Sequence, residues 1–218
     1  MKKVGVILSG CGVFDGAEIH ESVLTLLALD KANAQAICAA PNIPQHHVLN
    51  HLTQKESVGE SRNVLVEAAR LARGSILPLD KLQADQIDAA IVPGGFGAAK
   101  NLCDFAFRGA AFSVLPELAQ LLRALHQAGK PLGFICIAPA IAASLFGGEG
   151  VQFTIGSDPG TAEALEKNGA KHTRCAVTEI VIDRRLKIVT TPAYMLARSI
   201  SEAEAGISKL VRAVLDMA

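Results

Sequence analysis

The chain has 218 residues, half of them hydrophobic, and its 21 basic and 21 acidic side chains give a formal net charge of zero. A balanced charge leaves no electrostatic footprint for nucleic acid or an anionic membrane, and aromatic residues at 4% with no Trp supply no stacking row for single strands. The length suits one well-filled core, so residues 1–218 are expected to form a single domain.

In chain order, residues 4–8 read as a first strand; MKKVGVILSGC imitates a secretion signal, but its apolar run is too short for one. Residues 18–31 read as a helix, 35–39 as a second strand, and 62–73 as a helix with Ser61 as its cap and Gly74 as its stop. Residues 89–92 form a strand running into PGGFG, 116–128 a helix closed by Gly129, and 132–135 a strand that leads into Cys136 and an alanine-rich helical run. A further strand is expected over 151–155, a short helix over 162–168 ended by Gly169, and a hairpin turning at Asp183-Arg184-Arg185. Apolar residues recur at helical spacing from 195 to 217. Near-continuous apolar strands alternating with helices predict an α/β fold, a mostly parallel sheet between two helical layers. No stretch is long enough to span a membrane.

Cys11, Cys38, Cys103, Cys136 and Cys175 are odd in number, widely spaced and without a C-x-x-C pair. That argues against a disulfide framework or a zinc site, and for a reducing compartment, the cytoplasm.

In an open α/β sheet, ligands bind beyond the carboxyl ends of the strands. Loops 9–17 and 93–98 and the turn at Cys136 fall there. Gly10, Gly12 and Gly16 resemble a relaxed dinucleotide fingerprint, but the second strand ends in Ala39-Ala40-Pro41-Asn42, without the acid that would hold a ribose. His46, His47 and His51 lie close together, and the last two would share a face if the segment were helical. With Pro41 and Pro44 before them and no Cys or Asp nearby, they read as a polar surface segment, and no metal site is expected.

Cys136 is the residue with a mechanism attached. At a sharp strand-to-helix turn its sulfur is exposed at the sheet edge and faces the positive end of a helix dipole, which favours the thiolate. The bland alternative is a buried, inert thiol. The amide of Gly95 in PGGFG and that of Ile137 are placed to hold an oxyanion. Glu18, His20 and Glu21 open the first helix, where a carboxylate can either move protons for the thiol or merely stabilise the helix start.

Taken together, DGAEIHES, VPGGFGAAKN, GFICIAPA and VTTPAYM, in order over nearly the whole chain, resemble the DJ-1/PfpI superfamily, and within it the ElbB/ES1 branch. The resemblance implies a flavodoxin-like three-layer sandwich of the class I glutamine amidotransferase kind, usually a homodimer, with a cofactor-free cysteine. Carried over by position, Cys136 matches the elbow cysteine, Gly94 and Gly95 the glycine pair of the oxyanion loop, and Glu21 the carboxylate that touches the cysteine, with Glu18 one turn earlier. Many relatives place His directly after the cysteine, where this chain has Ile137, and the downstream His of other members corresponds to Asp158. A Cys-His-acid triad is therefore not expected. His20, Asn101 and Asp158 are further pocket candidates.

The function this implies is a glutathione-independent glyoxalase that converts glyoxal or a similar small 2-oxoaldehyde to a hydroxy acid through a cysteine hemithioacetal, with either Glu21 or Glu18 as the proton shuttle. The alternative is a non-enzymatic redox-sensing or partner-binding protein that uses the same cysteine and is linked to isoprenoid metabolism. Neither reading involves nucleic acid or a membrane.

Overall fold

A computed structural model describes residues 1–218. Its elements in chain order are β1 (Lys3–Ile7), α1 (Ile19–Lys31), β2 (Gln35–Ala40), β3 (Leu49–Asn50), β4 (Lys55–Glu56), α2 (Val64–Leu71), β5 (Ile76–Pro78) and β6 (Ala89–Val92). Then come α3 (Phe96–Lys100), α4 (Phe105–Arg108), α5 (Pro116–Gln127), β7 (Leu132–Ile135), α6 (Pro139–Phe146), β8 (Gln152–Phe153), α7 (Pro159–Glu166), β9 (Lys171–His172), β10 (Val181–Asp183), β11 (Ile188–Thr191) and α8 (Ile200–Met217).

Seven strands form one sheet in the order β10-β11-β7-β6-β1-β2-β5. Every pairing is parallel except β10 on β11, the expected hairpin. Successive strand residues point to opposite faces, and the core divides accordingly. Leu132 and Phe134 of β7 pack with Leu118, Leu122 and Leu125 of α5, whereas Ile135 packs with Ile207 and Leu210 of α8. Gly133 sits where a side chain would come within 2.9 Å of Leu210 and 3.1 Å of Val214, so its missing Cβ lets α8 lie close to the sheet. From β1 the chain moves outward to β2 and β5, then returns to β6 on the other side of β1. The carboxyl ends of β1 and β6 thus flank the crevice where such sheets bind ligands.

Several boundaries differ from expectation. Asn63, not Ser61, caps α2: its side chain accepts from the Val66 amide at 3.1 Å, so the helix starts two residues later. The helix expected over 162–168 begins at Pro159, because Asp158 caps it and proline suits the first helical position. Over 151–155, only Gln152–Phe153 is strand, paired with β9 outside the main sheet. The last helix starts at Ile200 behind the Ser199 cap. Edge strand β5 was not expected, since Ile76-Leu77-Pro78 is too short to show a pattern. No helix is long and apolar enough to cross a membrane.

Candidate active site

The carboxyl ends of β1, β6, β7 and β11 lead into the loops that build one site. After β7 the backbone turns at Cys136, whose φ of +62° lies in the left-handed region. For a residue with a Cβ this costs about 1–2 kcal/mol, and neighbouring bonds hold it in place. The Cys136 amide donates to the Thr191 carbonyl at 3.0 Å, and the Ala138 amide to the Ile135 carbonyl at 3.0 Å. Pro139 then opens α6. This is a strained strand-to-helix elbow, the kind of turn that in other α/β proteins presents a nucleophile above a sheet.

Facing it is Glu21, fully buried on the first turn of α1. Its carboxyl lies beside the Cys136 thiol, and it accepts from the Gly94 amide at 2.9 Å and the Tyr194 amide at 3.2 Å. Gly94 must lack a side chain, because a Cβ there would come within 2.5 Å of the Cys136 Cβ and 2.8 Å of Glu21 Oε2. Its neighbour Gly95, at φ +89°, is packed equally tightly: a Cβ would meet the Glu18 amide nitrogen at 2.5 Å. The two glycines therefore divide the work. The Gly94 N–H orients the carboxyl and is not an oxyanion donor, while the amides of Gly95 and Ile137 are directed at the sulfur.

Glu18 is not the residue against the thiol. It caps α1, with Oε2 accepting from the Glu21 amide at 2.7 Å, and its own amide donates to the Gly94 carbonyl at 3.0 Å. It is nonetheless buried, and it lines the cavity in front of Cys136.

Burial, and then the charge of Glu18, push the Glu21 carboxyl up to about 8. Burial, and then the charge of Glu21, push the Cys136 thiol up, opposed by the two amides. The pair titrates as a unit: its first proton leaves near pH 8 and the second far above. The expectation of a thiol lowered by the helix dipole is corrected here. Cys136 lies three residues before the first residue of α6, outside the turn where the dipole acts, and it is buried.

The cavity has a volume of about 440 Å³, with Cys136, Gly95 and Ile137 lining it together with Glu18, Thr161 and Tyr194. Of the further candidates, His20 stands exposed at the rim and meets the Tyr194 hydroxyl at 2.8 Å through Nδ1. Asn101 does not line the cavity. It is a buried clasp whose Nδ2 donates to the Ser9 and Asp15 carbonyls at 2.9 and 3.0 Å, while its Oδ1 accepts from the His46 amide at 3.0 Å. Asp158 is exposed and outside the cavity; as the cap of α7 it accepts from the Thr161 amide at 2.7 Å. It positions Thr161 and cannot replace a histidine at the sulfur. His47 and His51 share no helix, because β3 intervenes; His51 lies 3.8 Å from Asp15, and His46 stacks on Phe107 with ring centroids 4.1 Å apart. Tyr194 and Thr161 were missed as site residues. For Tyr194 a signal existed: it is the only tyrosine in the chain and follows a strand and a proline.

No protein-family model matches the chain. It is 46% identical to human (Homo sapiens) glutamine amidotransferase-like class 1 domain-containing protein 3, mitochondrial, across 99% of this chain and 83% of that protein. It is 45% identical to the mitochondrial ES1 protein homolog of Rattus norvegicus, across 99% and 84%. The crystal structure of an isoprenoid biosynthesis protein with an amidotransferase-like domain from Ehrlichia chaffeensis matches with a TM-score of 0.92 at 36% identity, covering 100% of this chain and 99% of that one. A DJ-1 variant of Schizosaccharomyces pombe shares the fold, with a TM-score of 0.58 at 18% identity and coverage of 96% and 90%. Near-complete coverage at such identity makes the chain a member of the ES1 group of glutamine amidotransferase-like class 1 proteins, the ElbB/ES1 branch of the DJ-1 superfamily.

Proposed function

We propose that the protein is a glutathione-independent glyoxalase, converting a 2-oxoaldehyde and water to a 2-hydroxy acid. The observation that carries this reading is the fully buried Glu21 carboxyl set beside the elbow sulfur at the edge of a cavity. With one proton already lost from the Cys136–Glu21 pair, the Cys136 sulfur adds to the aldehyde carbon and the pair's remaining proton goes to the aldehyde oxygen, giving a hemithioacetal and leaving Glu21 without a proton. Glu21, now ionised, removes the hydrogen from that carbon and returns it to the adjacent one, while a second proton passes between the two oxygens. The former aldehyde carbon becomes a thioester carbonyl and its neighbour an alcohol, so the substrate's own carbons exchange oxidation level. Water then cleaves the thioester, releasing the hydroxy acid and the thiol. The amides of Gly95 and Ile137 face the oxyanion formed at the carbon bound to sulfur.

Glutamine hydrolysis fits less well. A glutamine zwitterion needs a cation for its carboxylate, and none of the cavity's lining residues is basic; the residue after the nucleophile is Ile137, and no histidine lines the cavity. Five free cysteines suit a reducing compartment such as the cytoplasm.

The test is turnover of glyoxal by the purified protein. Cys136→Ala should abolish it, Glu21→Gln should lower it by about two orders of magnitude or more, and Glu18→Gln should be much milder. No turnover of glyoxal or of a larger 2-oxoaldehyde above background would remove the reading. A second reading draws on the same two amides: they would hold the oxygens of an oxidised Cys136 in a sensor linked to isoprenoid metabolism. Absent turnover with stoichiometric sulfinate at Cys136 after mild peroxide would favour it.

A further inference from the structure

We infer that the cavity is built for 2-oxoaldehydes bearing a neutral apolar substituent about the size of an aromatic ring, and that glyoxal itself is a poor fit. The inference rests on the glyoxalase reading and concerns which substrate that chemistry serves.

Size is the first ground. A volume of about 440 Å³ lies in the range of about 300–1,000 Å³ typical of pockets for ligands of many non-hydrogen atoms. Glyoxal has four such atoms. It would leave most of the cavity to water, whereas an aryl glyoxal of ten occupies more of it.

The wall is the second. Beyond the reacting end the lining is Val13, Phe96, Ala99, Phe105, Ala106 and Met195. Short Ala99 and Ala106 leave the room that the flanking rings enclose. Phe105 is braced edge-on against Phe112, with centroids 5.0 Å apart. Displacing water from such a wall favours an apolar group, and a ring would lie against rings.

Charge is the third. Glu18 is the single charged side chain on the lining, and it is acidic. Lys100, on the same helix as Phe96, is not a lining residue; its ammonium, 5.2 Å from the centroid of the Phe96 ring, is engaged by the Phe14 carbonyl at 3.1 Å. A phosphate or carboxylate on the substrate would lose its hydration and face Glu18. Sugar-phosphate aldehydes and oxo acids are thus disfavoured as a class.

The experiment compares kcat/KM of the full chain for glyoxal, methylglyoxal, phenylglyoxal and 4-carboxyphenylglyoxal. One well-placed methylene in an apolar pocket is worth about tenfold or more. Phenylglyoxal should therefore exceed glyoxal by at least about tenfold, with methylglyoxal between them and the carboxylated compound at least about tenfold below phenylglyoxal. Ala99→Leu should lower the phenylglyoxal-to-glyoxal ratio. A second measurement does not depend on turnover: benzaldehyde should shield Cys136 from iodoacetamide at concentrations where acetaldehyde does not. If glyoxal turns over but phenylglyoxal is no better and benzaldehyde shields no better, the inference is overturned while the glyoxalase reading stands. If nothing turns over yet benzaldehyde shields selectively, the glyoxalase reading fails and the apolar specificity of the cavity stands; if benzaldehyde also fails, both fall.

Discussion

Replacing Glu21 by Gln should change how stability depends on pH, and the sign follows from the carboxyl's surroundings. In the unfolded chain this group ionises near 4.5, and in the fold burial holds its proton to about 8. Below 4.5 both states are protonated and the group contributes no pH dependence. Between 4.5 and about 8 the unfolded chain sheds the proton while the folded chain keeps it, so folding loses about 1.4 kcal/mol per pH unit. Above about 8 both states are ionised and the loss is complete, on the order of 5 kcal/mol. Glutamine cannot ionise and has no such slope. It has one acceptor oxygen for the two amides of Gly94 and Tyr194, a defect of about 1–3 kcal/mol that is the same at every pH. Urea unfolding of both proteins at pH 5, 6, 7 and 8 isolates the Glu21 contribution as the difference between them. Wild type should lead at pH 5, with the lead shrinking and then reversing toward pH 8. The same slope should persist in Cys136→Ala, because burial and not the thiol is the first cause of the shift. A difference that stays flat, or widens with pH, would refute the assignment of a proton to this carboxyl.

Two further outcomes follow from the same geometry. Alkylation of Cys136 by iodoacetamide should rise about tenfold per pH unit and level off near pH 8, where the pair loses its first proton, while Cys38 and Cys103, pushed up by burial to about 11 and 12, stay unlabelled; mass spectrometry of a brief labelling that finds the first adduct on Cys11 or Cys103 would contradict this. Gly94→Ala should destabilise the fold by about 1–3 kcal/mol and slow that alkylation, since the added Cβ meets both Cys136 and Glu21. Gly148→Ala, where nothing lies within 4 Å, should do neither, and equal melting-temperature shifts for the two would refute the packing argument.

The sheet could be read from the sequence where its strands are buried on both faces. β6 and β7 are apolar at nearly every position and fully buried, and both were expected within a residue of their ends. Reading failed where burial is partial or the segment short. β5 is three residues at the sheet edge, carrying no repeat long enough to show a period. The run over 151–155 looks like a sheet strand because Val151, Phe153 and Ile155 are all buried, yet they pack under α6 and α7 and not within the ladder. Hydropathy reports that a residue is buried, and it does not report which layer buries it. Caps failed differently: Ser61 and Asn63 are both competent, and the choice depends on a backbone bond from the Val64 amide to Ile43, remote in sequence.

The site shows the same division between residue type and contact. Two carboxylates three apart on one helix share a face, so spacing alone leaves Glu18 and Glu21 equivalent as partners for the thiol. A single hydrogen bond separates them. Glu18 is the cap and not a helical residue, with extended backbone at φ −64° and ψ 126°, which bends its carboxyl back to the Glu21 amide. With Oε2 held there, Glu18 is not the carboxylate beside the sulfur, yet its charge lies beside Glu21 and helps raise it. The two acids are therefore unequal but coupled. Glu18 holds the turn that aims Glu21, and its charge adds to burial in keeping a proton on Glu21. The acid pair legible in AEIHES is thus one device, and the bland reading of Glu18 as a helix-start charge is also correct, because capping is how it acts on the thiol's partner.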